Sequence, residues 1–282
     1  MGDYGESLSK YRLDLVEKVV EVLTAFGPEH RELTLTELTA RTQQSESSVY
    51  RIVANLTRLG FLARDEQTRK FSIGIRAYAV GSLALRSMKT VIRPRMEALC
   101  ERYSLTVNLS VRDHLEVLIV DVVESTQSFR IASSVGTREP LHCTASGKCL
   151  LAFGSDVAQA ELLDGLEPLR RYSDKTLTTR DELAKELRRI RRTVVGLDRG
   201  EYQAHARCIA VPIFGSADTI CAAVSVSGPR ELFAPAEALP IVAQLCALGE
   251  DVSRALGALG PYPSSCLREA PRWRDVVDNA AA

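Results

Sequence analysis

Asp198, His205 and Cys208 lie close together along the chain, with the pair His142-Cys143 farther upstream. They include the residue types of a Cys-His-Asp site, where a base removes the thiol proton and a carboxylate orients the base. His205 and Cys208 are three positions apart, however, so on a strand their side chains tend to opposite faces, against direct proton transfer. The same His and Cys residues offer nitrogen and sulfur to a metal ion. Neighbours such as His142 and Cys143 seldom reach one ion together, and no closely spaced ligand pair occurs. A Cys-dependent hydrolase and a metal-responsive sensor are therefore alternative readings, separable by assays of ester and amide turnover and by metal analysis.

A second set of residues suits reversible binding of a small anion. Thr144 begins a helical segment whose first backbone N–H groups and positive dipole end would seat a carboxylate. Ser225 and Ser227 are two apart on a strand and point to the same face, so both hydroxyls can converge on one ligand. Asp198 would accept a hydrogen bond from a ligand hydroxyl, amide or amine. Each has a plainer reading: Cys208 as a small core residue, the serines as solvated, and Asp198 as the cap of the turn from Gly196 to Gly200.

A third set lies near the beginning. A segment from Val49 to Leu59 is apolar on one helical face (Val49, Ile52, Val53, Leu56, Leu59), and the other carries Ser47, Ser48, Tyr50, Arg51, Asn55 and Arg58. Such a face of hydrogen-bonding side chains is suited to reading base edges in a major groove.

The elements around it fit that task. Leu8 to Phe26 repeats apolar residues at helical spacing until Gly27-Pro28 stops it. Thr34 with Glu37 forms a capping box for a short helix ending near Thr42, and Gln43-Gln44-Ser45 makes a polar turn. Ser45 caps the polar-faced helix, which Gly60 ends. Two strands follow, Phe61–Arg64 and Lys70–Ile73, around the tip Asp65–Arg69. Together they make a helix-turn-helix with a wing, in which Arg69 and Lys70 approach a flanking phosphate or minor groove. Arg64 is equally placed for a salt bridge with an acid on the first helix. The expected DNA-contacting set is Ser45, Ser47, Ser48, Tyr50, Arg51, Asn55, Arg69 and Lys70.

Charge is segregated in the same way. The 282-residue chain has net charge zero, yet residues 1–40 hold four basic against eight acidic side chains, and residues 41–76 seven against three. Local charge within a Debye length of about 8 Å governs attraction to phosphate, so the total does not exclude a nucleic-acid partner. Length favours two domains, and 45% hydrophobic with 26% charged residues reads as an ordinary globular protein. No apolar run approaches the ~20 residues that span a bilayer. The polar start lacks a secretory pattern, and the seven scattered cysteines contain no C-x-x-C pair. A cytoplasmic protein with reduced thiols and no membrane partner is expected.

Beyond Gly74, helical spacing from Ile75 to Leu85 suggests a connecting helix that contributes to a dimer contact, and Pro94 opens a helix ending near Tyr103. Strands are expected over Leu105–Arg112, Glu116–Val123, Phe129–Ser134, Arg207–Phe214 and Ile220–Ser227. Helices are expected over Thr144–Phe153, from a Thr179–Glu182 capping box through Arg192, and over Pro235–Leu256. Strands interleaved with helices, without a strict βαβ repeat, indicate an α+β sensor-type domain.

Three ordered blocks then carry a family resemblance. Gly136-Thr137-Arg138-Glu139-Pro140-Leu141-His142-Cys143-Thr144-Ala145-Ser146-Gly147-Lys148, followed by Leu150-Leu151-Ala152, resembles the signature of IclR-type effector domains. So do Asp198-x-x-Glu201-Tyr202 leading to Cys208-Ile209-Ala210-Val211-Pro212-Ile213, and Ala223-Val224-Ser225-Val226-Ser227-Gly228-Pro229. The resemblance covers about residues 8–257 and leaves Gly260 to Ala282 outside it.

What it implies is an N-terminal winged helix-turn-helix (8–74), a linker helix (75–90), a GAF-like α/β effector-binding domain with an antiparallel sheet (91–258) and a tail (259–282). Carried over by position, Ala145, Ser146, Asp198, Cys208, Ser225 and Ser227 line an effector pocket, with Ile131 as an apolar wall. His205 replaces a glycine common in relatives, fills space and adds a titratable donor. It leans the expected ligand toward an aromatic or acyl-bearing acid. The implied protein is a transcriptional regulator, a repressor more than an activator. It would act as a homodimer or dimer of dimers on palindromic double-stranded DNA, answering a small carboxylate, with neither cofactor nor metal.

Overall fold

The computed structural model describes residues 13–263 apart from Pro28, Glu29, Leu85, Phe129, Ser155 and Ala234. The expected helical turn over residues 8–12, the first residue of the strand expected from Phe129, and most of the tail lie outside the described residues. The chain divides into two compact units between Arg86 and Ser87.

The first unit begins with α1 (Asp14–Thr24), followed by β1 (Glu32–Leu33), α2 (Leu35–Thr42) and α3 (Glu46–Arg58). The Thr34 hydroxyl accepts from the Glu37 N–H while the Glu37 carboxylate accepts from the Thr34 N–H, the reciprocal pair read from the sequence. Gln43 turns the chain in the left-handed region at φ 54°, and the Ser45 hydroxyl caps α3 through the Ser48 N–H. β2 (Leu62–Arg64) and β3 (Phe71–Ile73) form the wing, and β1 adds a third strand beside β3 that the sequence did not announce. Two residues are too few to show alternation. Val22, Leu38, Val49, Ile52, Val53, Leu56, Leu62 and Phe71 close the core. α4 (Ile75–Ala84) adjoins the wing, and the Arg76 guanidinium donates to the Leu59 carbonyl at 3.0 Å.

α5 (Arg86–Tyr103), all but its first residue in the second unit, runs through Pro94 rather than starting there. Proline removes one intrahelical bond, but Ile92, Met96 and Leu99 are buried on both sides of it and hold the helix together. β4 (Thr106–Asp113), β5 (Glu116–Val123), β6 (Arg138–Pro140), β7 (Gly196–Asp198), β8 (Ala206–Phe214) and β9 (Ile220–Pro229) form an antiparallel sheet in the order β6-β5-β4-β9-β8-β7.

α6 (Ala145–Ala152), α7 (Asp156–Leu166), α8 (Arg180–Thr193) and α9 (Pro235–Ala255) complete the unit. α6 lies against β7, β8 and β9, with α8 beside it, and α9 packs on β8. α6 is buried along its whole length, which erases the amphipathic signal a surface helix would show.

The strand expected from Phe129 to Ser134 is not one: residues 130–134 have no ladder partner, and β6 occupies the neighbouring edge of β5 instead. The segment is held by single bonds, the Thr106 hydroxyl donating to the Ile131 carbonyl at 2.9 Å. α7, β6 and β7 were not foreseen from the sequence, which had Gly196 to Gly200 as a turn alone.

Candidate functional site

Period-two geometry gathers the polar residues of the sheet on one face. Asp198 pairs with Cys208, Cys208 with Ser227, and Ser227 with Thr106, a row running across four strands. The next row sets Ala210 beside Ser225 and Ser225 beside Asn108. Residues directly opposite in adjacent strands share a face, so one side of the sheet carries a band of hydroxyl, thiol, amide and carboxyl groups.

The start of α6 and the segment 131–133 close a cavity over this band, of about 480 Å³ with its open mouth included. Ile131, Ala145, Ser146, Asp198, Cys208, Ser225 and Ser227 all line it. His205 does not: it is exposed, in the turn before β8, and is absent from the lining. The space that His205 was expected to fill is bounded instead by Tyr202, Gln203 and Ala206. Sequence reading also missed Asn108, Ser110 and Glu139. Asn108 and Ser110 had a legible signal, polar residues alternating with Val107, Leu109 and Val111 along the strand, the same pattern as Ser225 and Ser227. Glu139 is brought in by the unforeseen β6.

The electrostatics of the cavity are acidic. Among the described residues, Glu139 and Asp198 are its ionisable carboxyl groups, and no Lys, Arg or His appears in the lining. Burial, reinforced by the nearby Asp198 carboxyl, pushes the Glu139 carboxyl up to about 7. Burial, then the Glu201 carboxylate, pushes Asp198 up to about 6. Asp198 also caps a turn, its Oδ1 accepting from the Gly200 and Glu201 N–H groups at 2.9 and 2.6 Å. Asp198 thus caps the turn, as one of its sequence readings had it, while also lining the cavity.

At the other wall, the Thr144 hydroxyl caps α6 through the Gly147 N–H at 3.2 Å. The N–H groups of Ala145 and Ser146 belong to the first turn, which has no intrahelical acceptors. Gly147 lets the turn Leu141–Thr144 pass close: an added Cβ would meet the Leu141 carbonyl oxygen at 2.4 Å. Asn108 is buried and its Oδ1 has no hydrogen-bond partner among the described residues, an arrangement that costs about 1–3 kcal/mol until a donor arrives.

No catalytic relay forms around Cys208. Burial, then the Asp198 charge, drives its thiol well above the usual range. His142 turns away and donates from Nε2 to the Arg170 carbonyl at 2.9 Å, and burial lowers its pKa. Burial likewise raises the Cys143 thiol, where a nucleophile would need a depressed one. Among the described residues, no cluster of His, Cys, Asp and Glu is arranged to hold a metal ion, and no helix is long and apolar enough to cross a membrane.

In the first unit, Ser45, Ser47, Tyr50, Arg51 and Asn55 are exposed along α3, while Ser48 is half-buried and donates to Gln44 Oε1 at 3.2 Å. The Asn55 amide donates back to the Arg51 carbonyl at 2.9 Å. Gln44 ties the turn to α1, its Nε2 donating to the Lys18 carbonyl at 3.2 Å and to Glu21 Oε2 at 2.7 Å, a link that spacing could not show. At the wing tip Asp65 Oδ1 accepts from the N–H groups of Gln67 and Thr68. This fixes the turn that leads to Arg69, in the left-handed region at φ 56°, and to Lys70. The Arg64 guanidinium sits over the Phe71 ring, 5.7 Å from its centre, in place of the salt bridge considered for it.

Comparison with known proteins agrees with this layout. Residues 15–66 match the IclR helix-turn-helix domain, and residues 80–254 match the bacterial transcriptional regulator IclR C-terminal domain. The chain is 30% identical over 244 residues to the HTH-type transcriptional regulator KdgR of Escherichia coli K12, covering 86% of this chain and 92% of that one. It is 27% identical to the E. coli transcriptional repressor IclR, over 85% and 89% of the two chains.

Among solved structures, an IclR-type regulator from Silicibacter sp. TM1040 shares the fold, with TM-score 0.80 at 24% identity over 88% and 98% of the chains. An IclR homologue from Microbacterium hydrocarbonoxydans complexed with 4-hydroxybenzoate matches with TM-score 0.74 at 27% identity, over 86% and 98%. A winged helix-turn-helix in one unit and a cavity-bearing antiparallel sheet domain in the other, matched over nearly their whole length, place this chain in the IclR family of bacterial transcriptional regulators.

Proposed function

We propose that the protein is a repressor whose grip on a palindromic operator is released or strengthened by a small organic acid held over the sheet of its second unit. The observation that carries this reading is the convergence of Ser146, Asp198, Cys208, Ser225 and Ser227 on one cavity beside the start of α6. The carboxylate sits against the Ala145 and Ser146 amides, and the serine hydroxyls hold the rest of the ligand. That a relative of known structure is complexed with 4-hydroxybenzoate keeps an aromatic acid among the candidates.

Ser45, Ser47, Ser48, Tyr50, Arg51 and Asn55 of α3 face the major groove, and Arg69 and Lys70 of the wing meet phosphate or minor groove. The protein acts in the cytoplasm, as a homodimer that sets two α3 helices on the two half-sites and pairs further into a dimer of dimers. Exposed apolar residues support such self-association: Leu15, Val16 and Val20 on α1, and Ile75, Tyr78, Val80 and Leu83 on α4. Acid binding changes the spacing of the paired α3 helices, and because the coupling is reciprocal, operator DNA changes acid affinity by the same factor.

The test is fluorescence anisotropy with promoter DNA from beside the protein's own gene, titrated across salt concentrations and repeated with carboxylic acids that raise the melting temperature. A steep salt dependence and an acid-induced change in affinity are expected. Affinity indifferent to salt, or acid affinity identical with and without DNA, overturns the reading.

A further inference from the structure

We propose that a second cavity, at the opposite end of α6 from the cavity over the sheet, binds an organic cation: a primary ammonium group on an apolar aryl or alkyl body. The proposal assumes nothing about what the first cavity holds.

The second cavity, of about 610 Å³ with its open mouth included, lies between the end of β8, the last turns of α9 and a strap formed by residues 258–263. The strap lies beyond the residues that match the IclR C-terminal domain. It is tied down along its length. The Leu259 and Gly260 N–H groups donate to Asp218 Oδ1 at 2.9 and 3.0 Å, and the Tyr262 hydroxyl donates to the Pro212 carbonyl at 2.7 Å. Tyr262 is buried, with its ring centre 5.8 Å from that of Phe214, which in turn meets the Phe153 ring at 5.4 Å. Phe153 directly follows α6 and donates its N–H to the Cys149 carbonyl. One buried helix therefore has a cavity at each end, and the aromatic wall of the second is fixed in place, which lowers the ordering cost of binding.

Three rings, with Pro261 and Pro263, make the body of this cavity apolar. Its ionisable residues, among those described, are Asp218, Glu250 and Arg254, two acids against one base. Glu250 Oε1 accepts from the Arg254 guanidinium at 2.6 Å, and the strap N–H groups use Oδ1 of Asp218. Oε2 and Oδ2 retain acceptor capacity. The Ser253 and Tyr262 hydroxyls both donate to backbone carbonyls instead.

A ligand thus meets ring carbons and carboxylate oxygens. A neutral apolar guest would strip water from those oxygens without replacing its bonds. A carboxylate would face like charge, opposed only by an exposed guanidinium already paired with Glu250. An ammonium suits both features: it donates to the open oxygens, and aromatic faces within about 6 Å attract a cation.

Calorimetry on the full chain at about pH 7, where alkylamines are protonated, compares two shape-matched pairs: 2-phenylethylamine with 2-phenylethanol, and hexylamine with 1-hexanol. At least one amine is expected to bind the wild type about ten-fold tighter than its alcohol. Asp218→Asn keeps an acceptor for the strap N–H groups, and Glu250→Gln keeps one for Arg254, so each removes charge with little change of shape. Each is expected to weaken the amine about five-fold while leaving the alcohol unchanged. Ala258→Phe, which sets a ring into the cavity, is expected to abolish amine binding. Circular dichroism melts without ligand establish that each variant is folded, and the charge variants suffice if Ala258→Phe does not fold.

Unchanged amine affinity in a folded chain carrying both charge substitutions overturns the proposal, as does full amine binding by a folded Ala258→Phe chain. Alcohols that bind as tightly as their amines, or a wild type that binds neither amine, overturn it as well.

Discussion

Lys148 Nζ lies 2.5 and 2.6 Å from the two carboxylate oxygens of Glu201, with the lysine fully enclosed. The pair fastens α6 to the turn that Asp198 caps, because the Glu201 N–H is itself donated to Asp198 Oδ1. Glu186 stands 3.8 Å from the same ammonium, and Arg199 reaches to 4.0 Å from Glu201. Two walls of the cavity are thereby held in register by one ion pair. Lys148→Met leaves the Glu201 carboxylate buried without its closest cation, Arg199 standing 4.0 Å away, and is expected to cost about 3 kcal/mol, the lower end of the range for breaking a buried pair. Adding Glu201→Leu is expected to recover more than half of that loss. Urea unfolding of the single and double variants measures both, and additive losses would refute the coupling.

Stability should fall as pH rises from about 5 to about 8. Glu139 and Asp198 titrate at about 7 and about 6 in the fold, above their ordinary values of about 4. Between those limits the folded chain binds more protons than the unfolded one, so folding loses free energy with rising pH. Glu186, held down near 2 mainly by its Arg189 hydrogen bond and the Lys148 charge against burial, stays ionised throughout that window and leaves the slope alone. Glu139→Gln is expected to flatten the slope and raise the melting temperature at about pH 8 by a few degrees, as ~1 kcal/mol would. Parallel pH profiles for variant and wild type would count against it.

Gly147→Ala should destabilise the second unit by about 1–3 kcal/mol, the usual cost of overpacking. The new methyl would meet the Leu141 backbone and the Thr144 hydroxyl that caps α6. Because the crowding falls on the cap, weaker acid binding should accompany the loss, in contrast to Gly81→Ala, where nothing lies within 4 Å of an added Cβ. Thermal melts with and without ligand compare the two.

Arg51→Ala is expected to weaken operator binding by about 1–3 kcal/mol if the guanidinium reads a base edge. Lys70→Ala, on the wing, should weaken all sequences alike and lower the salt slope by about one. Unchanged affinity in a folded Arg51→Ala protein removes that residue from the reading set.

Replacing Val16 and Val20 with glutamate should leave the first unit folded, since both side chains are half or more exposed, yet shift the chain toward monomer. Light scattering after gel filtration measures this, and an unchanged mass would exclude the α1 face from the dimer contact.

Sequence by itself determined the first unit almost completely. Its signals are local: a capping box at Thr34, a cap at Ser45, helical periodicity through α3, and a hairpin around Asp65 are set by residues within a turn of one another. It also determined that Ser225 and Ser227 share a face, because strand alternation needs no partner. Tertiary structure alone decided which strands become neighbours. Strand pairing joins residues far apart in the chain, so the row Asp198, Cys208, Ser227 has no sequence period to betray it. The same holds for Glu139, which enters the cavity because a three-residue strand pairs with β5, and for His205, which leaves it because its turn precedes the ladder. Burial too belongs to the assembled fold: only there do Lys148 and Glu201 lose water and become one buried pair.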